Sequence, residues 1–187
     1  MNDVIVQYAL IGIATVAVVV LIVFLMRRGW RARQARQQDV AAPAPVPTGI
    51  LETEPVAASD GMYVNTVTTR NYLDRIAVHG LGLRTNARLE VHTIGVALLR
   101  DGSPNIFIPA ADLVEAGLDS GMSGKFVEKD GLVVITWRLG GREVRTGFRT
   151  RASHDRDPLL EALESLVDRQ TPHHPQNPQN PQMEKFS

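Results

Sequence analysis

The sequence predicts an N-terminal transmembrane helix followed by a mainly-β domain of about seven strands, a partly open barrel closed by one C-terminal helix. Three observations predict it. Residues 4–26 carry no charged side chain and run directly into arginines. From Gly61 to Asp168 the chain breaks into short alternating runs separated by turn residues. The last run is followed by Leu159, Leu160, Leu163 and Leu166 at helical spacing. A sheet of that length curls, and an amphipathic helix can cover the opening it leaves.

The first element is the span. An uncharged helix over 4–26 reaches roughly 34 Å, enough for a hydrocarbon core of about 30 Å. Asp3 precedes it and no Lys or Arg does, which does not suit the basic start of a cleaved export signal. Arg27, Arg28, Arg31, Arg33 and Arg36 follow it, with Trp30 among them. These six residues are expected to mark the membrane boundary, because basic residues are retained on the cytoplasmic side and Trp favours the headgroup layer. Residues 1–3 would then lie outside, and everything after Met26 inside, at the inner (plasma) membrane. One span without an ionisable residue offers no transport pathway of its own.

Composition narrows the function classes. The chain has 187 residues, with 20 basic and 20 acidic. That balance gives no electrostatic ground for binding nucleic acid. There is no cysteine, so disulfides, thiol nucleophiles and cysteine metal sites are excluded together. His79, His92 and His154 fall in separate segments without a nucleophile motif or carboxylate pair, and no catalytic activity and no cofactor are expected.

Residues 27–60 are expected to form a basic juxtamembrane segment and then an Ala/Pro-rich linker. Its Ala-Pro alternation favours extended structure, able to hold a domain up to ~75 Å away. Ile50 and Leu51 are isolated apolar residues that suit local docking. Residues 170–187 repeat Pro-Gln-Asn and cannot bury a core, which predicts a disordered tail. His173 and His174 lie there without a third ligand at fixed spacing, so no metal site is expected.

The folded domain is placed at 61–169. In "MYVNTVTT", Tyr63, Asn65 and Val67 are expected on one face. "RIAVHGLGL" and "ARLEVHTIGVALLR" read as further strands, Asp101 to Ser103 as a turn, "NIFIP" as a strand, and "AADLVEAG" as a short helix or helical turn closing at Gly117. "LVVITWRLGGREVRTGFRT" reads as a hairpin with Gly140 and Gly141 in a two-residue turn. That turn pairs Leu139 with Arg142, Arg138 with Glu143, Trp137 with Val144, Ile135 with Thr146 and Val133 with Phe148. It leaves Leu132 and Val134 on the outer face as a contact surface. Asp157 is the expected N-cap of the last helix, with Pro158 at its first position.

"LDRIAVHGLGLR", "IPAADL", "GMSGKFVEKDGLVVITW" and "TGFRT", together with the anchor, resemble a family of small actinobacterial single-span membrane proteins with a cytoplasmic bacterial PH-like domain. Such proteins are often labelled export or transporter proteins, which a single span does not support. The resemblance implies a PH-like fold and carries no catalytic residues. PH-like folds in general bind lipids, peptides or proteins.

Two groups of residues are candidates for ligand or partner binding. Arg75, His79 and Arg84 surround Gly80 and Gly82, where arginines could hold an anion. Arg138, Arg145 and Arg149 belong to a basic hairpin face that could meet anionic lipid. "GMSGK" lacks the strand, glycine spacing and hydroxyl of a phosphate loop. The expected function is a membrane-tethered binding or scaffold module engaging a protein partner or the inner leaflet. The alternatives are an accessory subunit acting through its membrane helix, and a sensor of small anions.

Overall fold

The computed structural model describes residues 2–37, 39–69, 71–122, 125–126 and 130–170. Helix α1 is Asn2–Arg36. It contains one segment, Leu10–Ala32, long and apolar enough to cross a membrane. The arginines do not end this helix; it continues through them for almost three turns. Arg and Ala are good helix formers, and charged side chains are tolerated once the helix leaves an apolar environment.

The strands are β1 (Ala57–Thr68), β2 (Asn71–Arg75), β3 (Thr85–His92), β4 (Gly95–Arg100), β5 (Ile106–Pro109), β6 (Leu113–Asp119), β7 (Gly121–Met122), β8 (Lys125–Phe126), β9 (Leu132–Leu139) and β10 (Arg142–Thr150). Helix α2, Arg156–Gln170, ends the described chain. Seven strands form one antiparallel sheet in the order β5-β4-β3-β1-β10-β9-β6, with β2 added to β1. β7 and β8 pair separately. β1 is long enough to serve both halves of the sheet, pairing with β3 through 57–63 and with β10 through 61–68. The sheet therefore curls around β1. Its edges, β5 and β6, are consecutive in sequence yet unpaired, and α2 packs on β6, β1 and β3. Leu159, Leu163 and Leu166 of α2 enter one core with Trp137, Phe148, Tyr63, Leu89 and Ile135.

The β9–β10 hairpin has the expected register at every pair. Gly140 (φ 55°) and Gly141 (φ 82°) both take the left-handed conformation that a primed turn requires.

Elsewhere the structure differs from the sequence expectation. β1 has a bulge between Tyr63 and Asn65. The extra residue flips the later side chains, so Tyr63 lies in the main core and Val67 on the opposite face. "RIAVHGLGL" is strand only at its first residue and then a turning loop. "ARLEVHTIGVALLR" is two strands, β3 and β4, joined by a tight turn at Thr93 and Ile94. Of the short helix or helical turn expected in "AADLVEAG", the turn forms as a 3-10 turn (Ala110–Asp112), but it ends there and not at Gly117, because from Leu113 edge pairing of β6 with β9 outweighs a two-turn helix. Helix α2 begins at Arg156, before Asp157 and Pro158, after a 3-10 turn at Ser153–Asp155. Leu132 and Val134 are buried, covered by Met122 together with Val67 and Val64. A Cβ at Gly147 would lie 2.9 Å from the Met122 sulfur, so the bare backbone there admits this cover. Ser123, Gly124 and the tail with His173 and His174 lie outside the described residues.

The largest difference concerns the linker. Residues 37–56 do not stand off as a tether; they form a strap along the domain. Val40 and Ile50 are buried. Ala44 bridges Phe107, whose N–H donates to the Ala44 carbonyl at 3.1 Å. A 3-10 turn, Ile50–Glu52, seats Ile50 on Ala97 and Phe107, with Ala44, Val46 and Leu99 beside them. Leu51 stays exposed. The prolines preset extended backbone, and the alanines and valines supply apolar surface for the outer face of β4 and β5.

Candidate functional site

Three segments converge at one end of the barrel: the loop 76–84, the turn 101–105 and the hairpin tip at 139–142. A chain of buried polar groups holds the first of them. The Trp137 Nε1–H donates to the Thr146 hydroxyl at 2.8 Å. The Thr146 and Thr66 hydroxyls are 2.8 Å apart, and those of Thr66 and Tyr63 2.7 Å. The Tyr63 hydroxyl donates to the Leu81 carbonyl at 2.7 Å. With each hydroxyl owning one hydrogen, donation runs one way, from Trp137 through Thr146, Thr66 and Tyr63 to Leu81. Arg100 lies 4.7 Å over the Tyr63 ring and donates to the carbonyls of Gly80 and Pro104 at 2.8 Å each. Burial holds the Tyr63 phenol well above its ordinary pKa, and burial lowers that of the Arg100 guanidinium.

The loop so fixed is where the end of α1 docks. The Gln37 side chain acts as a surrogate strand. Its Oε1 accepts from the Ala77 N–H at 2.6 Å, and its Nε2 donates to the Arg75 carbonyl at 3.1 Å. The His79 Nε2 sits 2.9 Å from the Val40 carbonyl. Arg142 pairs with Asp39. A Cβ at Gly82 would lie 3.4 Å from the Trp30 ring, and one at Gly140 would collide with Ala41. The residues that follow the apolar segment of α1 thus occupy the loop end of the barrel.

The candidate residues do not form one site. Arg75 contributes its carbonyl and His79 its ring to docking the strap. His79 is also a non-glycine residue at φ 55°, next to Gly80 at 68°, so the loop bends sharply beneath Val40. Arg84 is exposed and reaches the Met62 sulfur. Arg138 is exposed opposite Glu143. Arg145 bridges Asp119 at 3.1 Å, fastening the segment that carries Met122. Arg149 sits across from Met62 at the far end of β10, beside Arg151. Among the boundary residues, Arg27, Arg28 and Arg31 are exposed on α1, and Trp30 faces Gly82. The side chains of Arg33 and Arg36 are outside the described set.

Sequence reading missed Gln37, Asp39 and Val40. Only the Gln-Gln-Asp-Val run after the arginines could have signalled them, and short polar runs of that kind are common in linkers. The three described histidines serve separate contacts: His92 lies between Thr53 Oγ1 and Glu90 Oε2, at 3.3 Å from each, and His154 meets Asp155 at 3.2 Å.

Among solved structures, a chain of an 8S snRNP assembly intermediate is similar, with a TM-score of 0.45 and 8% identity, covering 76% of this chain and 98% of that one. A chain of Vav1 inhibited by an allosteric inhibitor is also similar, at a TM-score of 0.39 and 13% identity, covering 76% of this chain and 34% of that one. No curated protein matches the sequence. The family model for a bacterial PH domain-like fold matches residues 40–164, from the strap at Val40 into α2. That match takes in most of the chain and the whole β domain, and the chain belongs to the bacterial PH domain-like family.

Proposed function

We propose that this protein is a non-catalytic binding module that spans the membrane once through α1 and presents its PH-like domain to a protein partner at the cytoplasmic face. The observation that carries the reading is the docking of 37–41 on loop 75–82. It leaves no free tether between α1 and the domain, so the domain sits at the end of the span in a set orientation. A protein partner is favoured over lipid because two arginines of the basic hairpin are already engaged: Arg142 pairs with Asp39, and Arg145 with Asp119. The five arginines after the span support a cytoplasmic domain, because basic residues beside a span are retained on that side.

The absence of cysteine makes the orientation directly testable. Asn2→Cys is expected to react with an impermeant maleimide on intact cells, and Glu164→Cys only after lysis. The reverse pattern would overturn the topology. Replacing 4–26 by an unrelated apolar span of equal length, with 27–56 kept, should leave the set of cross-linked partners unchanged. Loss of those partners would transfer the function to the membrane helix, as an accessory subunit.

A further inference from the structure

On β3, Arg88, Glu90 and His92 alternate onto one face, and the row they form ends on the strap. Arg88 Nε donates to Glu90 Oε1 at 2.9 Å, and Glu90 Oε2 lies 3.3 Å from His92 Nε2. His92 Nδ1 lies 3.3 Å from Thr53 Oγ1, and the Thr53 hydroxyl donates to the Ile50 carbonyl at 2.6 Å. His92 is only 3% exposed, so its two ring nitrogens depend on these two partners. We propose that His92 is a proton-operated latch: protonated on both nitrogens, it holds the 50–56 end of the strap over the outer face of β4 and β5, and loss of one proton releases that end.

The inference follows from counting hydrogens. The Thr53 hydroxyl owns one hydrogen and gives it to Ile50, so its oxygen meets His92 as an acceptor. The Glu90 carboxylate is an acceptor as well. Two acceptors face two ring nitrogens, and only the imidazolium carries a hydrogen on both. A neutral ring loses one side. With its hydrogen on Nδ1, the Nε2 lone pair faces the carboxylate. With its hydrogen on Nε2, the Nδ1 lone pair faces the Thr53 oxygen, unless Thr53 withdraws its hydrogen from Ile50. Thr53 also closes the 3-10 turn through its own N–H, which donates to the Ile50 carbonyl at 3.1 Å. That turn seats Ile50 on Ala97 and Phe107, so disturbing Thr53 disturbs the cover of the outer face. The charged neighbours are few. Glu90 comes from β3, and Arg88 lies beyond it. On the strap, Glu52 and Glu54 flank Thr53 and are exposed. β4 brings Gly95, Val96 and Ala97, and β1 brings Ala57 and Ala58, none of which titrates. Among the described residues, Glu90 is the one titratable group joined to His92. Imidazole changes charge between roughly pH 5 and pH 8, so the latch is closed on the acid side and opens as pH rises.

β3 runs from the loop 76–84 to His92, which puts the latch at the far end of that strand from the docked residues 37–41. It therefore stands or fails apart from the proposed function. The test is amide hydrogen exchange of the full chain in zwitterionic micelles between about pH 5.5 and pH 8.5. Expressing exchange as protection factors cancels the chemical pH dependence of the amides. The Thr53 and Val56 N–H groups, which donate to the Ile50 and Val91 carbonyls, should lose about tenfold in protection as pH rises, while the amides paired between β9 and β10 keep theirs. Nitrogen NMR should find both His92 ring nitrogens protonated at the acid end. His92→Gln, neutral at every pH, should remove the pH dependence. Thr53→Val, at an exposed position, should remove it too and leave 50–56 weakly protected throughout, at a nearly unchanged melting temperature of the domain. Wild-type protection that does not change with pH, a ring protonated on one nitrogen across the range, or a fall that persists in either variant would overturn the latch.

Discussion

The Tyr63 phenol is fully enclosed, and its oxygen takes part in two hydrogen bonds within the Trp137–Leu81 chain. Ionising it would remove the proton that satisfies Leu81 and place a charge in the core. Its folded pKa is accordingly raised, chiefly by burial. The sign follows from linkage. Below about pH 10 both folded and unfolded chains keep this proton; above it the unfolded chain alone releases it. Tyr63 therefore adds stability that is fully present below pH 10 and declines above it, by about 1.4 kcal/mol per pH unit while only the unfolded form is ionised. Denaturant unfolding between pH 8 and 11 should show this slope, and Tyr63→Phe should remove it. The same substitution should cost about 1–3 kcal/mol at neutral pH, because it leaves the Leu81 carbonyl short of its side-chain donor. The one-residue slip in β1 belongs to the same network. Alternation placed Tyr63 and Val67 on one face; a bulge that brings Thr66 back beside Tyr63 cannot be read from period alone.

Local signals were legible where they were self-sufficient. The β9–β10 hairpin carries its turn chemistry, its inner face and its cross-strand pairing within one stretch, so its register followed from the residues. The strap did not, because its structure depends on a distant surface. Nothing in Ala-Pro-Ala-Pro-Val-Pro specifies that Phe107 will offer an N–H and an apolar ring to it. Leu132 and Val134 failed for the same reason: their cover, Met122, comes from a segment with no period of its own. Ile50 tests the strap as an element. Ile50→Ala should lower stability by about 2 kcal/mol, the smaller end of the range for a buried aliphatic truncation because the site can partly collapse. It should also make 40–56 the first segment cut in limited proteolysis. Unchanged cutting there would mean the strap is held by other contacts.

Across the whole molecule, the docked strap converts an apolar helix and a domain into one mechanical unit. α1 is continuous to Arg36, and Gln37 immediately pairs with loop 75–77, which Tyr63 and Thr66 in turn fasten to the barrel through Leu81 and Ile76. A rotation or tilt of the helix would be passed to the β domain instead of being absorbed by a coil. That consequence distinguishes a fixed module from a tethered one. Spin labels at Ala32→Cys and Glu164→Cys, both exposed positions in a chain without native cysteine, should give one narrow distance distribution in bilayers. Gln37→Ala removes both backbone bridges at once while leaving the core untouched. It should broaden the distribution and shift part of it outward, with the domain's melting temperature nearly unchanged. Adding Asp39→Ala, which frees Arg142, should broaden it further. A wild-type distribution as broad as that of Gln37→Ala would show that the domain already moves freely, and a narrow distribution in the double variant would assign the coupling to Trp30 and Val40 instead.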